Sequence, residues 1–297
     1  MKRLSLLLLF TICLTPVFGQ RNDESAIRQI FDKALAEGLS YPMLDYLSTK
    51  IGSRLSGSPG AAAAVEWSRH VMESYGFDSV WLQPVMVPHW VRGQQEIGRI
   101  VNSRKMGTVS VNICALGGSV GTGPEGVVAG VVEVKSFEEL KALGTKGVQG
   151  KIVFFNRAMD PTQLNTFAAY GGAVNQRGSG ATEAARLGAV AALVRSMGSN
   201  LEDYPHTGGM SYAPDVKKIP AVAISTRHAE MLSKLLKEDK DLQFYIETHS
   251  EMLEDAPSFN VIGEIKGSEY KDEIIVVGGH LDSWDLAQGA HDDGAGC

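Results

Sequence analysis

Apolar positions in the N-terminal part of the chain recur every three or four residues, which predicts helices. The first such run covers residues 27–35, and a second covers residues 58–75. Ser58 suits the N-cap of the second helix, Pro59 suits its first turn and Gly76 suits its end. A short helical segment is also predicted between these two runs.

Alternating patterns follow and predict strands. Residues 79–90 alternate roughly with a period of two, and their prolines favour an edge position. Residues 109–116 predict a further strand. After the glycine-rich joint at residues 117–126, strands and helices alternate in a self-contained block, which predicts an inserted domain. Its predicted strands are 127–134, 150–156, 189–196, 218–225 and 241–250, and its predicted helices are 136–144, 181–188 and 225–238.

Two more strands are predicted after the block, at residues 260–267 and 273–280, around a charged hairpin. The run EIIVVGG is continuously apolar, which is typical of an inner strand covered on both faces. We therefore expect the segments before and after the block to share one sheet. The predicted division is a signal peptide at 1–19, a first domain part at 20–118, the insert at 119–255 and a second domain part at 256–297.

The first residues predict export. Lys2 and Arg3 precede an apolar run over residues 4–18 that is too short for a membrane anchor, and small Gly19 follows. This pattern indicates a secretory signal peptide and a secreted or periplasmic protein that has no membrane attachment after cleavage. Cys114 and Cys297 then remain, too few for a disulfide framework.

The net charge of the chain limits the classes of binding partner that are expected. The formal net charge is −6, and no basic surface segment stands out in the sequence. Nucleic acid is therefore not an expected partner.

The candidate chemistry lies directly after the last apolar run. His280 and Asp282 are two positions apart, so they point to the same side if the backbone stays extended. A carboxylate beside an imidazole can orient the ring as a metal ligand. Asp292 follows after a loop that contains Gly289. One imidazole with carboxylate oxygens suits Zn²⁺, although a capped loop beside a solvated Asp pair fits the same residues.

Longer motifs carry a family resemblance. GGHLDSWD and GAHDDG resemble the metal-binding segment of the M28-type co-catalytic zinc exopeptidases. GSRLSGS, PHTGGMSY and KIPAVAIS resemble the carboxypeptidase Q group of that family. The resemblance implies a mixed-sheet α/β zinc exopeptidase domain of the phosphorylase/hydrolase-like class. It further implies that this domain is C-terminally truncated here and contains an inserted, β-rich PA-like (protease-associated) domain.

The same resemblance implies roles for single residues. His280 would be a terminal ligand of one of two zinc ions, Asp292 would bridge both ions, and Asp282 would orient His280. A cis peptide bond is implied between Asp292 and Asp293. The other ligands and the general-base Glu are expected beyond residue 297. Peptide substrates and a homodimer are also implied.

Two other functions compete with the exopeptidase. One is a PA and peptidase-like binding or receptor module that has lost its metals, against which the retained His280, Asp282 and Asp292 argue. The other is a single-zinc transferase on the same scaffold, against which the insert and Asp292 argue. Within the insert, His206 and Arg177 are candidates for a loop that leans over the substrate, or for ordinary loop contacts.

Overall fold

The N-terminal part of the described chain is helical. The computed structural model describes residues 18–297, so most of the predicted signal peptide lies outside the described residues. Ser58 Oγ accepts a hydrogen bond from the backbone N–H of Ala61 at 3.2 Å, which confirms the predicted helix cap. None of the helices between residues 18 and 297 is long and apolar enough to cross a bilayer. The elements are α1 (Phe18–Glu37), α2 (Ser40–Asp45) with a π-helical turn (Tyr46–Ile51), and α3 (Pro59–Ser74).

A two-stranded antiparallel ribbon joins the chain before the block to the chain after it. β1 (Ser79–Val87) pairs with β12 (Ala256–Glu264) along its whole length. The expectation that these two segments share a sheet is confirmed for this pair. Next to the ribbon, β2 (Trp90–Val91) pairs with β11 (Glu251–Met252).

The largest sheet has eight strands in the order β4-β3-β10-β6-β7-β8-β9-β5. Its centre, from β6 to β9, is parallel, and the strands on both sides pair antiparallel. The fold is thus mixed α/β, as expected. The strands are β3 (Ile97–Ser103), β4 (Gly107–Val111), β5 (Ile113–Ala115), β6 (Val127–Val134), β7 (Ile152–Phe155), β8 (Ala191–Arg195), β9 (Ala221–Ile224) and β10 (Gln243–Glu247).

Helices cover both faces of the parallel centre. Phe154 and Phe155 are neighbours on β7 and point to opposite faces, and both are fully buried. Phe155 lies in the core beneath α4, where Leu140 joins it. Phe154 lies in the core beneath α8, with Leu232. The helices are α4 (Phe137–Val148), α5 (Thr166–Ala173), α6 (Asn175–Gly178), α7 (Gly180–Arg186) and α8 (Thr226–Glu238).

The prediction of a single strand over residues 109–116 is wrong, because Asn112 separates β4 from β5. These two strands stand at opposite ends of the strand order. Since only one residue separates them along the chain, the sheet must curl until its two ends approach each other. Residues 97–115 therefore belong to the same sheet as the strands of the block, although they precede residue 119, where the insert was predicted to begin.

The buried inner strand predicted over residues 273–280 is also wrong. The segment forms no strand, and Ile275 and Val277 are each 91% exposed. An apolar run expresses a preference for burial, but a strand also needs a neighbour for its backbone groups. β1 and β12 pair with each other, and no other strand between residues 18 and 297 lies beside this run.

Candidate functional site

The imidazole of His280 lies between two carboxylates. His280 Nδ1 is 3.1 Å from Asp282 Oδ1 and 3.0 Å from the Asp282 carbonyl oxygen. On the other side of the ring, His280 Nε2 is 3.1 Å from Asp292 Oδ1. The structure thus brings together all three residues singled out in the sequence. The Asp282 and Asp292 side chains are 52% and 88% exposed, so the site opens to solvent.

Asp293 holds the backbone around the site. Its Oδ2 atom accepts a hydrogen bond from the His280 backbone N–H at 3.2 Å. Its carbonyl oxygen accepts from the N–H groups of Gly296 and Cys297 at 2.7 and 3.2 Å. The peptide bond from Asp292 to Asp293 is cis, as the resemblance implies. The two ends of the loop between His280 and Asp292 are therefore linked directly.

The surroundings raise the pKa of His280. Partial desolvation of the ring lowers it, but the hydrogen bond to Asp292 and the charge and hydrogen bonds of Asp282 outweigh this effect. Both carboxylates therefore favour a cation at this position, whether it is a proton on the ring or a metal ion.

The three side chains fit part of a zinc site. Two ligand atoms about 2.0–2.1 Å from a tetrahedral zinc ion stand about 3.3 Å apart. The distance of 3.1 Å between His280 Nε2 and Asp292 Oδ1 is close to that separation. Asp282 on Nδ1 selects the tautomer that leaves the Nε2 lone pair available to a metal. Across residues 18–297, no group of three or more His, Cys, Asp or Glu is placed to hold an ion together.

The loop between the two candidate ligands is attached to the insert. Arg92 is 8% exposed and binds both oxygens of Asp285 at 2.7 and 2.8 Å. It also donates to Glu96 Oε1 and the Ala115 carbonyl, both at 2.8 Å, and to Thr207 Oγ1 at 3.3 Å. Desolvation lowers the pKa of Arg92, but the bonds to Asp285 and Glu96 raise it on balance. Arg92 therefore links the HLDSWD loop to the PHTGG loop.

Sequence reasoning missed the structural importance of both Arg92 and Arg54. Arg54 is fully buried beneath the same loop. Arg92 lies close to Glu96 in the chain, which is a weak signal of an ion pair. Arg54 lies in the GSRLSGS motif, whose residue types give no signal of the contacts that Arg54 makes.

The insert residues His206 and Arg177 make local contacts. His206 Nε2 is 2.7 Å from Glu202 Oε1, and its Nδ1 is 3.0 Å from the Met197 carbonyl oxygen. Arg177 stacks over the ring of Tyr170. Neither residue is a hydrogen-bond partner of His280. A cavity of about 600 Å³ lies on the insert as well, between β6 and α8, and His280 and Asp292 do not line it.

Sequence comparisons point to one family. Residues 260–297 match the model described as Peptidase family M28. Carboxypeptidase Q from Xenopus laevis is 38% identical over 287 residues, which are 97% of this chain and 58% of that protein. Carboxypeptidase Q from Bos taurus is 39% identical over 262 residues, which are 88% of this chain and 52% of that protein. The chain thus spans little more than half the length of these relatives.

Solved structures agree with the sequence comparisons. The M28 peptidase precursor from Shewanella amazonensis is 35% identical, with a TM-score of 0.86 over 92% of this chain and 61% of that chain. The zinc aminopeptidase from Bacillus subtilis is 21% identical, with a TM-score of 0.57 over 86% and 54% of the two chains, and shares the fold. The chain is therefore a relative of the M28 metallopeptidases, with carboxypeptidase Q proteins among its similar sequences.

Proposed function

We propose that this chain supplies part of the active site of a zinc-dependent exopeptidase that hydrolyses short peptides. The observation that carries the proposal is the placement of the His280 ring between Asp282 and Asp292, with Nε2 at 3.1 Å from Asp292 Oδ1. Zinc held by these residues would supply a bound water of lowered pKa and would polarise the scissile carbonyl. The relatives named carboxypeptidase and zinc aminopeptidase support this chemistry.

Each residue of the site has a proposed task. His280 would hold zinc through Nε2, and Asp292 would hold it through its carboxylate oxygens, in the bridging role that the family resemblance implies. Asp282 accepts the Nδ1 proton of His280, which fixes the ring and raises its basicity as a ligand. The remaining ligands and the general-base Glu are proposed to follow residue 297.

The block predicted over residues 119–255 is proposed to be a PA-like insert in a peptidase domain formed by the segments 20–118 and 256–297, with residues 97–115 contributing strands to the sheet of the insert. Support for its closeness to the site comes from Arg92, which contacts both Asp285 and Thr207. The substrate would then lie beside the loops that Arg92 joins.

We also propose a cellular location and an oligomeric state for the protein. The basic and apolar pattern of residues 1–19 supports a secreted or periplasmic protein. Peptides are the proposed partners, and the family resemblance supports a homodimer.

The test uses the full-length protein that contains this chain. Its zinc content is measured by plasma mass spectrometry, and hydrolysis is followed on peptides with free or blocked termini. We expect zinc-dependent cleavage that needs one free terminus, and loss of zinc and activity in Asp292→Asn. Asp272→Asn, on the exposed hairpin, is the matched control. A zinc-free protein that binds peptides without cleaving them would instead favour the binding module.

A further inference from the structure

Arg54 is a buried cation that is bound by backbone carbonyl groups. Its side chain is 0% exposed. All five of its side-chain hydrogen bonds go to main-chain oxygens. The acceptors are the carbonyls of Leu281 at 2.7 Å, Leu47 at 3.3 Å, Gly52 at 2.6 Å, Gln288 at 2.9 Å and Gly289 at 2.8 Å. A buried charge is costly unless its donors are satisfied, and these carbonyl dipoles satisfy the guanidinium.

Three of the five acceptors lie near the two ends of the loop between the proposed ligands. Leu281 is adjacent to His280, and Gln288 and Gly289 come shortly before Asp292. One rigid, planar group therefore fixes the separation between the start and the end of this loop.

The backbone of Arg54 adds a second attachment. Its N–H donates to Ser283 Oγ at 3.0 Å, and its carbonyl oxygen accepts from the Ser283 N–H at 3.1 Å. Ser283 is itself buried. One residue of the GSRLSGS motif thus holds the loop at two positions in its first part, Leu281 and Ser283, and again near its end.

Packing around Gly289 leaves no room for a side chain at this position. Gly289 has a φ of +60°, and a β-carbon there would stand 2.3 Å from Ser283 Cβ and 2.6 Å from Arg54 Nη2. With the guanidinium and Ser283 in these positions, the loop therefore requires glycine at residue 289.

We infer that Arg54 is a positioning residue for the metal site, which sets the distance between His280 and Asp292 through the loop that joins them. This inference rests on the proposed function. Arginine is suited to this role because five N–H donors in a fixed plane reach several carbonyls at once. Lysine offers three donors on one rotating nitrogen and cannot reproduce the contacts.

The test compares Arg54→Lys with Arg195→Lys in the full-length protein. Arg195 is also buried and binds Glu230 at 2.6 Å, but it lies in the insert. Zinc affinity per folded molecule is measured by competition with a chromophoric chelator, and folding is measured by near-ultraviolet circular dichroism. We expect Arg54→Lys to weaken zinc binding about 10- to 100-fold, as is typical when a group supporting a ligand is lost. Arg195→Lys should bind zinc as the wild type does.

The outcomes separate this inference from the proposed function. A wild-type protein that binds no zinc contradicts the proposed function. A folded Arg54→Lys variant with wild-type zinc affinity overturns the role of Arg54. The proposed metal site would still be supported in that case if Asp292→Asn loses zinc. If Arg54→Lys does not fold, Gly289→Ala is measured instead, because its methyl group must displace the guanidinium or Ser283, which binds the Arg54 backbone, and removes no charge. Unchanged zinc affinity in Gly289→Ala also overturns the inference.

Discussion

The indole of Trp284 lies against Gly117 so closely that a β-carbon on residue 117 would stand 2.0 Å from Trp284 Cη2. Gly117 also accepts a hydrogen bond from the Met210 N–H at 3.0 Å. The glycine therefore lies between the HLDSWD loop and a loop of the insert, and its lack of a side chain permits the contact.

This contact predicts the effect of Gly117→Ala. The added methyl group must displace Trp284 or the backbone, and overpacking of this kind costs about 1–3 kcal/mol of the free energy of unfolding. Chemical denaturation of the full-length variant measures the loss. Trp284→Phe removes the atoms that clash, so the double variant should lose less than the sum of the two single variants. Simple additivity would contradict the contact.

Asp282→Asn should weaken metal binding while leaving the shape of the site unchanged. The amide keeps the size of the carboxylate but loses its charge, so it orients and polarises His280 less. Changes of this kind cost about 10- to 100-fold in zinc affinity. Chelator competition on the full-length protein measures the change, with Asp272→Asn as the exposed control. Equal affinities of the two variants would show that Asp282 does not support His280.

Arg92→Met should destabilise the junction between the loop and the insert. The substitution leaves the carboxylates of Glu96 and Asp285 without their cation, and Glu96 is 6% exposed. Breaking a buried pair in this way costs about 3–5 kcal/mol. Urea denaturation of the full-length variant tests the loss. Because the unpaired charges cause it, the triple variant with Glu96→Gln and Asp285→Asn should recover part of the stability; a triple variant as unstable as Arg92→Met would refute this account.

The buried thiol of Cys114 should make stability depend on alkaline pH. Burial raises the pKa of Cys114 from 9.0 to about 12. Above pH 9 the unfolded chain loses this proton and the folded chain keeps it. The contribution is therefore complete below pH 9 and is lost as the pH rises toward 12, at about 1.4 kcal/mol per pH unit. Denaturation between pH 8 and pH 11 should show a shallower decline for Cys114→Ala than for wild type, whereas equal declines would contradict the raised pKa.

Local sequence signals predicted those elements whose ends are marked. The strand expected over residues 127–134 is β6 with the same bounds. Ser136 caps the following helix, because its Oγ accepts from the Glu139 N–H at 3.1 Å. β3 was missed because its alternation is interrupted by polar residues and by Gly98. No local pattern indicates that Asn112 turns the chain from one end of the sheet to the other.

Long-range partners explain the remaining differences. The apolar residues 274–277 led to a prediction of burial, yet they are exposed, because a sequence does not indicate which strand lies alongside. In the site, spacing and resemblance selected His280, Asp282 and Asp292, and the structure places each of the two carboxylates within hydrogen-bond distance of the His280 ring. Arg54 could not be found in this way, since its acceptors are carbonyl groups that every residue carries.

The ribbon of β1 and β12 has a consequence for the architecture of the chain. Val87 lies directly opposite Ala256, so the polypeptide leaves and re-enters the ribbon at the same rung. The chain between Val87 and Ala256 therefore begins and ends about one strand spacing apart, although Arg92 and Gly117 within it also contact the HLDSWD loop. A tight hairpin in place of residues 88–255 would therefore leave the register of β1 and β12 unchanged.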